Sequence, residues 1–156
     1  MKIRFNIPTL VLSATLIAFG NGCLPPPHSS YRPIHQFAET GDAVAVAQDL
    51  ATNSGDLNLP DDAGLTPLHL AANHCHTNVV MLLLNQGAKV NARAAGGATP
   101  LHLAAQEGCA DAVTMLLAKG AKINARDDQG YTPLKRAELW HQDAVAQIIR
   151  EHGGTE

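Results

Sequence analysis

Thr66-Pro67-Leu68-His69-Leu70-Ala71-Ala72 returns unchanged as Thr99-Pro100-Leu101-His102-Leu103-Ala104-Ala105, and a worn third copy stands at Thr132-Pro133-Leu134-Lys135-Arg136-Ala137-Glu138. The same interval separates Thr66 from Thr99 and Thr99 from Thr132. Each threonine is a residue type that caps helices through its hydroxyl, and the proline behind it sits where a missing N–H costs nothing. A helix is therefore expected to begin at each phrase. The paired alanines one turn on keep it thin enough for a neighbour to pack closely.

Outward from each phrase the same order recurs. A second apolar run follows, Val79-Val80-Met81-Leu82-Leu83-Leu84 and then Ala112-Val113-Thr114-Met115-Leu116-Leu117. Each run meets Gly87 or Gly120, the residue type that ends helices in the left-handed region. Asn91 and Asn124 come next, then a loop tip at Gly97 or Gly130, with Gly64 as the earlier equivalent. The unit is helix, helix, extended loop.

A fixed period of about 33 residues carrying Thr-Pro-Leu-His and two small residues resembles the ankyrin repeat. The resemblance implies an all-α solenoid of stacked helix-turn-helix units with extended hairpin loops. It also implies that His69 and His102 hydrogen-bond neighbouring loops. The repeats are read as 61–93, 94–126 and 127–156, preceded by a degenerate repeat over 34–60 that lacks the Thr-Pro-Leu-His phrase. One extra residue is expected within 52–56, because the interval from Gly41 to Asn58 is one position longer than that from Gly108 to Asn124. Lys135 and Arg136, replacing His and Leu, mark the polar C-terminal cap that a stack needs.

Composition agrees with thin helices: of 156 residues 46% are hydrophobic and only 4% aromatic, so small aliphatic side chains must build the core. A net charge of −3 without a cluster of Lys and Arg excludes a nucleic-acid face. No GxSxG elbow, phosphate loop or glycine-rich dinucleotide turn is present, so the chain is read as non-enzymatic and without a cofactor.

The first residues are a separate matter. Lys2 and Arg4 precede an apolar stretch over 7–19, short of the roughly 20 residues a spanning helix needs, and Gly20-Asn21-Gly22-Cys23 follows. Residues 1–22 read as an export signal. Small residues before a cysteine resemble the bacterial lipobox, which makes Cys23 the candidate for lipidation, although Gly20 stands where that pattern has an aliphatic residue. An ordinary cleaved leader is the alternative. With Leu24 behind the cysteine, the resemblance implies a periplasmic lipoprotein of the outer membrane. Residues 23–33, with Pro25-Pro26-Pro27, read as an extended tether.

The favoured function is a monomeric module that binds a protein partner through the concave surface of the stack. By resemblance, its contact residues are those flanking the recurring phrase. These are Asp62, Leu65, Asn73 and His74 in the second repeat, and Ala95, Ala98, Gln106 and Glu107 in the third. The fourth supplies Asp128, Gln129, Tyr131, Leu139 and Trp140. Tyr131 and Trp140 are the proposed anchors, since Tyr and Trp are enriched at interface hot spots.

Two other readings stay open: an inhibitor or immunity protein acting on an exported enzyme, and a metal handler. The second draws on a stripe of turns, His74-Cys75-His76, then Cys109, then His141, whose residue types suit zinc or copper. Its spacing matches no familiar metal motif, and no metal site is assigned. Cys75 and Cys109 lie one position further apart than the repeat period. Equivalent atoms of stacked units are about 10 Å apart and a disulfide needs Cα atoms within about 7 Å, so two separate thiols are expected.

Overall fold

The computed structural model describes residues 31–156. The leader, Cys23 and most of the tether therefore lie outside the described residues. Among the described residues eight α-helices pair off in order. The inner helices are α1 (Pro33–Thr40), α3 (Pro67–Asn73), α5 (Pro100–Glu107) and α7 (Pro133–Leu139). The outer helices are α2 (Ala43–Thr52), α4 (Thr77–Asn85), α6 (Ala110–Ala118) and α8 (Asp143–Glu151). Inner helices pack on inner, outer on outer, and each inner helix on its own partner. The result is a two-layered stack with no strand among the described residues, an all-α solenoid.

The core follows the sequence pattern. Leu68, Leu83, Leu101, Leu116 and Ile149 are fully buried between layers, and Ala71, Ala72, Ala104 and Ala105 let the inner helices approach one another. In the first repeat a short 3₁₀ turn, Ser54–Asn58, follows α2.

Three kinds of stitch tie repeats together, and all of them satisfy backbone groups. Nε2 of His69 and His102 meets the carbonyl of Ala98 and Tyr131 in the next repeat at 3.2 and 3.1 Å, while that of His35 meets Leu59 C=O of its own repeat at 2.9 Å. Oδ1 of Asn58, Asn91 and Asn124 accepts the N–H of Lys89, Lys122 and Thr155 at 2.7 to 2.8 Å. At the loop tips, Ala95 N–H donates to Ala63 C=O and Asp128 N–H to Gly96 C=O, at 2.9 and 3.0 Å. Loop backbone that a solenoid buries between repeats is paired in this way.

The first stitch corrects the sequence reading. The opening repeat does carry the phrase, as Arg32-Pro33-Ile34-His35, set one position further ahead of Thr66-Pro67-Leu68-His69 than the repeat period places it. His35 is buried and its Nδ1 accepts from Arg32 N–H at 2.9 Å, as His69 Nδ1 does from Thr66 N–H at 3.1 Å. Tyr31 stacks on His35 and donates its hydroxyl to Glu39. Residues 31–33 are thus part of the first repeat and not of a tether.

The second correction concerns the cysteines: Cys75 and Cys109 are joined in a disulfide, with Cα atoms 5.1 Å apart. The stacking distance between equivalent positions does not apply to them. The residue ending each inner helix turn, Gly41, Cys75, Gly108 or His141, has positive φ. In the first three repeats it faces the residue that caps the next repeat's outer helix. At Gly41 a Cβ would fall 2.6 Å from the His76 ring, and at Gly108 one would fall 2.3 Å from Gln142 Oε1. Cys75 and Cys109 occupy the middle one of these three contacts, and the one-residue offset in their spacing is what aligns them.

Candidate functional site

The inner helices present their outward ends and the loop tips along one surface. Of the predicted contact residues, Asp62, His74, Ala95, Glu107, Asp128 and Gln129 are exposed there, and Asn73 is half-buried. Tyr131 is 37% exposed, Leu139 50% and Trp140 57%. Leu139 and Trp140 end α7, while Tyr131 precedes its capping Thr132. One inner helix therefore carries large apolar side chains at both ends.

Three predicted contacts are placed otherwise. Ala98 is only 8% exposed, and its carbonyl is taken by Ala94 N–H and by His69. Leu65 packs half-buried against the hydrophobic core. Gln106 is half-buried, its Oε1 accepting from Arg136 at 2.8 Å and its Nε2 donating to Glu107 at 3.0 Å. These residues shape the surface more than they offer themselves to a partner.

Arg136 is the residue the sequence undervalued. Its guanidinium donates twice to Oδ2 of buried Asp127, at 2.9 and 2.6 Å, and once to Gln106. Asp127 in turn accepts Gln129 and Tyr131 N–H, both at 2.9 Å, which closes the loop tip. Desolvation pushes the Asp127 carboxyl up, but Arg136 and these N–H bonds outweigh it and hold it below the ordinary carboxylate value. Arg136 thus braces a loop against an inner helix and is no mere polar cap. Its signal was legible in the arginine of the third phrase copy following an aspartate in the loop before it.

Histidine protonation is set by the same geometry. Nδ1 of His69 meets both the N–H and hydroxyl of Thr66, which leaves Nε2 as the protonated nitrogen facing Ala98 C=O. Burial pushes its pKa down to about 4, against the raising effect of that carbonyl. Burial lowers His102 in the same way.

The stripe of histidines and cysteines is used by the fold itself. Both sulfurs are consumed by the disulfide, and His76 Nε2 is held by Glu39 C=O at 2.9 Å. Among the described residues no three His, Cys, Asp or Glu are placed to hold an ion. A metal handler built on Cys75 and Cys109 would need thiolates that this fold does not offer.

A family model of three ankyrin repeats matches residues 34–127. The chain belongs to the ankyrin-repeat family. Among similar proteins, the human scaffold protein ILK is 43% identical over 56 residues, 36% of this chain and 12% of that protein. The human ankyrin repeat domain-containing protein SOWAHB is 38% identical over 72 residues, 42% of this chain and 9% of its own length. The human ankyrin repeat domain-containing protein 7 is 36% identical over 58 residues, 37% of this chain and 23% of its own. This ankyrin chain covers less than a quarter of the length of each. Ankyrin repeats imply a protein-protein interaction module, and the inner-helix surface is the candidate interface.

Proposed function

We propose that this chain is a non-catalytic binding module of the periplasm, held at the outer membrane by lipid on Cys23. It takes its protein partner on the inner-helix face, with Tyr131 and Trp140 as anchors. The observation that carries the binding reading is the exposure of Leu139 and Trp140 at the end of α7, on the face where the other three inner helices also end. Burying an exposed Trp side chain is among the larger single gains an interface offers.

Export draws support from two independent features. The leader has a basic start, a short apolar stretch and small residues before Cys23. The Cys75–Cys109 disulfide is of a kind that persists in oxidising compartments and is reduced in the cytosol. The partner itself is expected to be a folded protein or a segment of one, an exported enzyme included.

Affinity capture from a periplasmic extract tests the reading, comparing wild type with the Tyr131→Ala, Trp140→Ala double variant. A partner retained by wild type and lost by the variant supports it. Equal retention by a folded variant removes α7 from the interface.

A further inference from the structure

The turns that end the inner helices form a line across the repeats, and its chemistry changes along its length. At the N-terminal end Glu39 and His74 face each other, Oε1 to Nε2, at 3.9 Å, both well exposed. The next turn presents Glu107, exposed and touched by the Gln106 amide. The last presents Leu139 and Trp140. Carboxylates thus lead into an apolar end.

The cations that might neutralise those carboxylates are engaged elsewhere. Arg136 is bound to Asp127, and Lys135 lies 3.7 Å from Glu138 and 3.5 Å from Glu156. Among the described residues no Lys or Arg pairs with Glu39 or Glu107. The line therefore keeps a negative potential beside a hydrophobic anchor, and its complement is a cation beside an apolar side chain.

The spacing is fixed as well. Successive inner helices pack about 8–10 Å apart. The disulfide pins the two central turns, since Cys75 follows His74 and Cys109 lies two residues after Glu107. A polyproline II segment rises about 3.1 Å per residue with three residues per turn. Residues three apart then share a face at about 9 Å, which matches one repeat.

Resting on the reading that this face binds the partner, we infer that the line takes an extended peptide segment of defined chemistry. An aliphatic or aromatic side chain lies on Leu139 and Trp140, and a Lys or Arg three residues away pairs with Glu107. A further basic residue, one repeat on, faces Glu39 and His74. Rigid turns limit the ordering cost on the protein's side.

Selection of a phage-displayed random peptide library on the intact, oxidised protein tests this. The expected consensus is a basic residue three positions from an aromatic or aliphatic one. Affinity of a selected peptide should fall at least ~10-fold on Glu107→Lys and recover when the peptide's basic residue is changed to Glu. Peptides that respond to Trp140→Ala, carry no basic residue and ignore Glu107→Lys overturn the inference and leave the binding face standing. Peptides indifferent to both variants, or a library that enriches nothing, overturn the inference; indifferent peptides also count against the face. Both substitutions are at exposed side chains, and unchanged thermal unfolding of each variant shows that the fold is intact.

Discussion

The sulfur of Cys75, in the left-handed turn after α3, is bonded to that of Cys109, the residue that caps the next repeat's outer helix α6. Flanking junctions use the same place differently. His76 Nε2 meets Glu39 C=O at 2.9 Å, and Gln142 Nε2 donates to Gln106 C=O at 3.2 Å. The caps of α4, α6 and α8 therefore each clasp the repeat before, and the central clasp is covalent.

Opening the disulfide should loosen the stack at its centre. The bond closes a loop over a sequence separation of 34. For a loop of that length the chain-entropy model gives roughly 3 to 4 kcal/mol. Urea unfolding with and without reductant, or of Cys75→Ser, should show a loss approaching that value. Alkylation without reductant should label neither cysteine in the wild type.

Arg136→Met should cost about 3–5 kcal/mol, because it strands the Asp127 carboxylate in a buried site. Adding Asp127→Asn to the same chain should recover part of that loss, since the amide keeps an oxygen for the Gln129 and Tyr131 N–H groups. Denaturant midpoints of the two variants check the order.

Stability should fall as pH drops from about 6.5 toward 4. His69 is charged readily in the unfolded chain below its ordinary value of 6.5, whereas burial keeps it neutral in the fold down to about 4. Its contribution is thus present above 6.5 and lost as pH falls toward the folded value. By pH 5 the loss from His69 alone is about 2 kcal/mol, and His102 adds in the same direction. Urea midpoints across that range should move down, and His69→Gln should flatten the slope.

Much of the fold could be read from the phrase and its regular return, because one pattern specifies cap, helix face and stacking surface together. The first copy is masked because Arg32 replaces the threonine and its spacing is one residue too long, although Pro33-Ile34-His35 keeps the rest of the phrase. The disulfide is hidden because comparing equivalent positions misses contacts that form one residue out of register. Ala98 looks exposed as a loop residue, but its carbonyl is the acceptor for His69, a role that residue identity does not reveal.

Gly64→Ala should cost roughly 1 to 3 kcal/mol, since φ there is +74° and a Cβ would fall 2.7 Å from Ala95 N, against the tip-to-tip bond. Gly87→Ala, at φ +89° with nothing within 4 Å, should suffer only the backbone strain. Thermal unfolding of the pair separates the stacking contact from the conformational cost.

Labelled palmitate should enter the wild-type chain in a host with lipoprotein processing, and should not enter Cys23→Ala. A mature protein without lipid, beginning elsewhere, would leave a plain exported chain and remove the anchor from the account.

Amide hydrogen exchange of the intact protein, alone and with its captured partner, decides whether the inner-helix face is the binding surface. New protection is expected at the ends of α3, α5 and α7, strongest at Leu139 and Trp140, with the outer helices unchanged. Protection confined instead to α2 and α4, where Val44 and Met81 border an apolar groove, would contradict it.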